Sequence, residues 1–196
     1  CFNGTPAAIT LTNPVGLIQW QSSLTAVGGY SDLVGQTAAT LPSGAISNTT
    51  TMYYQAVVTS GVCPSATITA TVNVNPASVG GTASIASGTA TICSSTTAPT
   101  ITLAGNVGTA QWQSSSTSGS GFVDITGTAS PSVSNTATKY YRAKVTSGVC
   151  SVAYSNEVLI TVNQASSTGT ISPSTQTICF NGTPAAITLT NPVGLI

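Results

Sequence analysis

An 18-residue segment, CFNGTPAAITLTNPVGLI, opens the chain at Cys1–Ile18 and returns unchanged at Cys179–Ile196. Copies of one sequence carry the same local folding preferences, so a repeat constrains the architecture before any single element is assigned. Between the two identical copies lies a diverged one. CFNGTPAAITLTNPVGLIQWQSS from Cys1 aligns with CSSTTAPTITLAGNVGTAQWQSS from Cys93, placing Ile9 on Ile101, Leu11 on Leu103, Gly16 on Gly108 and Trp20 on Trp112. Further along, MYYQAVVTSGVC ending at Cys63 matches KYYRAKVTSGVC ending at Cys150, and TVNVNPAS corresponds to ITVNQAS. The spacing is 92 residues from Cys1 to Cys93 and 86 from Cys93 to Cys179, the size of a small domain.

Each repeat reads as strands and turns, with no helical stretch. ITLTNPVG, IQWQSS, YSDLVG, MYYQAVVTS and ATITATVNV are short, rich in Thr, Val, Ile and Tyr, and punctuated by Gly, Pro, Asn and Ser. In ATITATVNV, Ile68, Ala70 and Val72 alternate with Thr69 and Thr71, the period of two expected when one face is buried. Ser60-Gly61 and Ser147-Gly148 place glycine where a tight hairpin needs positive φ. NPASVGG and NQASSTG recur at one phase of the repeat and read as short linkers.

Composition narrows the function classes. Only 3% of residues are charged, where soluble domains usually carry about 25%. Solubility then falls to 62 Ser and Thr hydroxyls. A net charge of zero offers no electrostatic footprint for nucleic acid or for an anionic membrane, and direct membrane insertion is not expected because no run of 18 apolar residues occurs. With no His, no paired carboxylates and no Gly-rich phosphate loop, a serine nucleophile would lack a base, so no catalytic residue, metal or cofactor is expected. Both ends of the sequence lie inside repeats, which reads as a slice of something longer.

The order Cys, Trp, Tyr-Tyr-x-Ala, Cys resembles the immunoglobulin-like sandwich, with its core Trp and tyrosine corner. It departs in placing Ala56 and Ala143 where that fold has its second Cys, with Cys63 and Cys150 beyond the hairpin. TICSSTTAPTITL, AQWQSS, NTATKYYRAKVTSGVC and VLITV are together similar to the immunoglobulin-like repeats of giant secreted surface proteins of Bacteroidota, including gliding-type adhesins. The resemblance covers nearly the whole chain. It implies an all-β fold of tandem immunoglobulin-like antiparallel β-sandwiches in an extended array: residues 1–75 as a repeat lacking its first strand, 76–164 as a complete repeat, and 165–196 as the opening strands of a third. It also implies an extracellular, cell-surface location reached by type IX secretion, and a structural or adhesive role. The expected partners are neighbouring repeats of the same chain, and a surface polysaccharide or other cells. A carbohydrate-binding module array, contacting ligand through loops such as LTAVGG and STSGSG, is the alternative. Another is a self-assembling filament subunit completed by strands of a neighbouring chain.

Cys1, Cys63, Cys93, Cys150 and Cys179 recur in phase with the repeat and form no metal-binding spacing, so they are expected in disulfides. Pairing inside repeats, Cys1 with Cys63 and Cys93 with Cys150, is favoured over pairing across linkers, Cys63 with Cys93 and Cys150 with Cys179. Either leaves one cysteine over. A bridge inside a repeat would contribute roughly 4 kcal/mol in the chain-entropy model.

Trp20 and Trp112 are expected in the core, their flanking glutamines on the opposite face. Tyr54 and Tyr141 share an inward face with Ala56, Val58, Ala143 and Val145. Arg142 and Lys144 then point outward, and with Lys139 they hold every positive charge of the chain. A solvated face is the plainer reading of these three, and contact with an acidic polysaccharide the sharper one. Asp32 and Asp124 occupy equivalent positions and are expected to bond within turns.

Overall fold

The structure, a computed structural model, describes residues 1–126 and 130–194. It is all-β. Among the described residues the first repeat supplies strands β1 (Ile9–Thr10), β2 (Leu17–Ser23), β3 (Ser31–Asp32), β4 (Thr40–Leu41), β5 (Met52–Thr59) and β6 (Ala66–Val72). Then follow β7 (Thr82–Ser87), β8 (Thr91–Cys93), β9 (Thr100–Ala104), β10 (Thr109–Ser115), β11 (Val123–Asp124), β12 (Lys139–Thr146), β13 (Ala153–Tyr154) and β14 (Val158–Asn163), and finally β15 (Thr170–Ser172) and β16 (Thr188–Thr190). Packing divides the chain into two units. One comprises Cys1–Val79 with Val107–Thr109 and Val145–Ala153, the other Gly80–Asn106, Ala110–Lys144 and Tyr154–Ile196.

In the first unit β3, β2, β5 and β6 form one antiparallel sheet, and β1 pairs with β4. Alternation along β5 buries Tyr54 and Ala56 and leaves Tyr53, Gln55 and Val57 half-buried. The register sets Trp20 directly opposite Ala56, so a large ring faces a methyl group and has room to lie flat in the core. Leu41 of β4 and Ile46 close over Trp20, Tyr54 and Ala56, and Ile9, Leu11, Ile18, Leu33, Met52 and Val72 pack around them. Two facing sheets with one apolar layer between them make a sandwich.

In the second unit the sheet runs β11, β10, β12, β14, β8, and β7 pairs with β9. Its buried side chains include Ala83, Ile101, Trp112, Tyr141, Ala143 and Ile160. β8 joins β14 in parallel, which places Cys93 beside Asn163.

Both indoles and both tyrosines lie where the sequence puts them: Trp20 is 2% exposed, Trp112 0%, and Tyr54 and Tyr141 each 1%. A buried phenol needs a partner, and each finds the same one. The Ser47 N–H donates to Tyr54 Oη at 2.7 Å, and the Ser134 N–H to Tyr141 Oη at 2.7 Å. Trp20 Nε1 donates to the Ala38 carbonyl at 2.9 Å.

The expected alternation in β6 is only partly realised. Ile68 is 60% exposed, and burial starts at Ala70. The reason is the cover available: β1, the strand opposite this region, is two residues long, and β6 is the last strand of its sheet. The counterpart of β1 in the second repeat, β9, runs five residues and is paired along its length by β7, and there Ile101 is fully buried where Ile9 is half-buried.

Candidate functional site

The cysteines form a different bond from either expected pairing. Cys1 is bridged to Cys150, 149 positions away, with the two Cα atoms 5.1 Å apart, and Cys63, Cys93 and Cys179 are exposed free thiols. Geometry within one repeat explains the correction. The Phe2 N–H donates to the Asn75 carbonyl at 2.8 Å, so Cys1 sits beside the end of β6, while Cys63 lies in the turn before the start of β6. Seven residues of strand separate those ends by about 23 Å, whereas a disulfide spans Cα atoms no more than about 7 Å apart. The same holds for Cys93, which lies beside Asn163 at the Lys139 end of β12, while Cys150 follows the other end.

Two local devices aim the bridged sulfurs. Asn3 adopts φ 58° and donates its N–H to the Asn48 carbonyl at 2.7 Å, which with the Phe2 bond to Asn75 holds the chain next to Cys1 at the end of β6. On the other side Gly148 adopts φ 53°, and the Cys150 N–H closes the hairpin on the Ser147 carbonyl at 2.9 Å. The Ser147 N–H then donates to Ser78 Oγ at 3.0 Å, and the Cys150 sulfur lies 3.3 Å from the Pro76 carbonyl oxygen. The hairpin is therefore seated on Asn75–Ser78 by backbone and sulfur together, and Ser147 and Cys150 are buried. Gly148 meets Asn75 so closely that an added Cβ would land on the carboxamide.

Lys139, Arg142 and Lys144 all lie on β12 as expected, but Arg142 is not a solvated charge. Its guanidinium is stacked between Phe122, 3.9 Å from the ring centroid, and Tyr154, at 4.1 Å, and its Nε donates to Gln113 Oε1 at 3.0 Å. Gln113 passes the chain on, its Nε2 donating to Asp124 Oδ1 at 2.7 Å, and Lys144 Nζ stands 4.0 Å from Asp124 Oδ2. This last pair is exposed and contributes at most about 1 kcal/mol.

The aspartates are not turn residues. Asp32 and Asp124 sit on β3 and β11, directly opposite Gln21 and Gln113, and each accepts from that glutamine. Tyr154 comes from β13 and Phe122 from the loop before β11, so no spacing in the sequence signalled the stack. A repeated signal did exist for the aspartates: the second Gln of QWQ stands 11 positions before Asp in both copies.

The loops proposed for ligand contact are tied internally. Ser23 Oγ donates to the Gly28 carbonyl at 2.9 Å across LTAVGG. Ser115 Oγ donates to the Ser120 carbonyl at 2.6 Å across STSGSG, where Glu157 also accepts from Ser118 Oγ and the Gly119 N–H. In the segment between Asp124 and Tyr140, residues 127–129 lie outside the described residues. Among the described residues no three His, Cys, Asp or Glu side chains cluster as metal ligands would.

A search of curated proteins finds no match to the chain. A family model does match it twice, over residues 1–76 and over 80–164, so that the chain belongs to the family described as a domain of unknown function, DUF8696.

Proposed function

We propose that the chain is a structural or adhesive repeat segment of a long extracellular cell-surface adhesin or filament, providing reach and stiffness rather than catalysis. The observation that carries this reading is the Cys1–Cys150 bridge, which closes a loop spanning 149 positions and pins a hairpin to a seat. Such a bond persists in oxidising surroundings outside the cytosol. It also means that tension cannot extend the enclosed chain while the bond holds. Immunoglobulin-like sandwiches, few charges and hydroxyl-rich surfaces suit a module whose task is to be long and inert between its ends.

Force spectroscopy on the full chain tests the mechanical part. Pulled from its ends with the bridge intact, it should release about 500 Å less contour length than after reduction, since the loop of 149 positions stays closed. Equal contour lengths in both states would overturn the mechanical role. Labelling of intact producer cells with antibody to the chain tests location, and signal appearing only after permeabilisation would overturn the surface reading. In the carbohydrate-binding alternative, Lys139 and Lys144 are the cations to test, because Arg142 is held by two rings and Gln113. Saturable binding on a glycan array, lost on Lys139→Ala with Lys144→Ala, would favour it.

A further inference from the structure

Each half of the Cys1–Cys150 junction recurs among the described residues. The cysteine half recurs at Cys93. There the Ser94 N–H donates to the Asn163 carbonyl at 2.7 Å as Phe2 does to Asn75, the Ser95 N–H to the Asn135 carbonyl at 2.9 Å as Asn3 does to Asn48, and Ser95 takes φ 65° where Asn3 takes 58°. The seat recurs as well: Asn75-Pro76-Ala77-Ser78 becomes Asn163-Gln164-Ala165-Ser166. The hairpin half recurs at Ser60-Gly61-Val62-Cys63, where the Cys63 N–H closes on the Ser60 carbonyl at 3.0 Å and Gly61 takes φ 55°.

The strand that follows each seat is held alike too. Val79 and Val107 exchange backbone hydrogen bonds at 3.1 Å in the first unit, and in the second Ser167 and Val193 exchange them at 3.1 and 3.0 Å. In the first unit Thr109, two residues beyond Val107, accepts from Thr146 Oγ1 at the base of the bridged hairpin. Val193 is to a repeat begun at Ser167 what Val107 is to the one begun at Val79. The hairpin of that repeat is thereby directed to Asn163–Ser166, beside Cys93.

From this we infer that the bridge is a rule of the repeat and not a single event. Cys93 is the attachment site for the Thr-Ser-Gly-Val-Cys hairpin of the repeat that opens at β15, and Cys63 is a hairpin cysteine of the same kind, made for the seat of a preceding repeat. Successive repeats are then joined covalently, the first cysteine of one to the hairpin cysteine of the next. In the bond-forming step both Sγ–H bonds break and one Sγ–Sγ bond forms. The two protons and two electrons pass by thiol–disulfide exchange to a small-molecule disulfide such as oxidised glutathione, whose S–S bond breaks to give two thiols. The inference needs the repeat and its bridge, not the surface location proposed above.

The test appends residues 19–76 of this sequence after Ile196, completing the third repeat, since 179–196 already duplicates 1–18. The extended chain is refolded in a glutathione redox buffer, alkylated and mapped by mass spectrometry. The expected result is two bridges, Cys1–Cys150 and Cys93 with the hairpin cysteine of the appended segment, and alkylation of Cys63 and Cys179. Loss of Cys93 alkylation on extension is the readout, and Cys1→Ser in the extended chain should leave the Cys93 bridge in place. Cys93 alkylated while Cys1–Cys150 forms, or Cys93 bonded to any other cysteine, would overturn the inference. So would failure of both bridges, because the rule is built on the first.

Discussion

The hairpins Ser60–Cys63 and Ser147–Cys150 share the residues Ser-Gly-Val-Cys, the same closing hydrogen bond and the same left-handed glycine. One is exposed throughout and ends in a free thiol. The other has its serine and cysteine buried and its sulfur bonded. Identical local sequence thus sets the turn but not its surroundings. What separates the two is the seat on Asn75–Ser78, contributed by residues some 70 positions away from the hairpin that uses it.

Three substitution pairs made at equivalent positions in the two repeats, and one single substitution, probe this difference. Cys150→Ser removes the bridge and should lower stability by about 5 kcal/mol in the chain-entropy model, read as the shift in denaturant midpoint, whereas Cys63→Ser should leave it unchanged. Equal effects would mean that the seat contributes nothing. Gly61→Ala forces a methyl into a left-handed backbone and should cost about 1 kcal/mol. Gly148→Ala bears that cost plus displacement of the Asn75 carboxamide, about 1–3 kcal/mol more, and should slow formation of the bridge in a refolding assay.

Tyr141→Phe and Tyr54→Phe each strand a serine N–H and should cost about 1–3 kcal/mol by thermal denaturation. Tyr141 carries a pH signature besides. Burial pushes its phenol above the ordinary value of 10.0, against a smaller opposing effect of the Ser134 hydrogen bond. A folded pKa above the unfolded one means stability that is whole below pH 10 and falls as pH rises through the folded value, because the unfolded chain loses its proton first. The alkaline loss measured by denaturant titration should shrink in Tyr141→Phe, and an unchanged slope would refute the assignment. Smallest is Arg142→Gln, which installs the residue found at Gln55 in the first repeat. It removes two ring contacts and should cost about 1 kcal/mol, read as a shift in denaturant midpoint.

Side-chain alternation made the inward faces of β5 and β12 legible in the sequence, because period two in a strand has one physical meaning. Trp20, Trp112, Tyr54 and Tyr141 followed from it. Ile68 did not, since alternation tells which face a residue is on and not whether anything covers that face. The cysteine pairing was illegible for a related reason. Counting from repeat to repeat leaves one cysteine over in each scheme, and only the strand lengths reveal that the two cysteines of a repeat stand at opposite ends. The environment of Arg142 depended on Phe122 and Tyr154, which reach it from a loop and a separate short strand, so its neighbours along β12 carried no trace of them.

The most direct measurement is bridge mapping of the full chain after air oxidation, with thiols blocked before digestion. The result expected is a single linked pair, the N-terminal peptide joined to the one containing Cys150, with Cys63, Cys93 and Cys179 all carrying the blocking group. Recovery of Cys1 linked to Cys63, or of Cys93 linked to Cys150, would contradict the seating of the hairpin and the joining rule drawn from it.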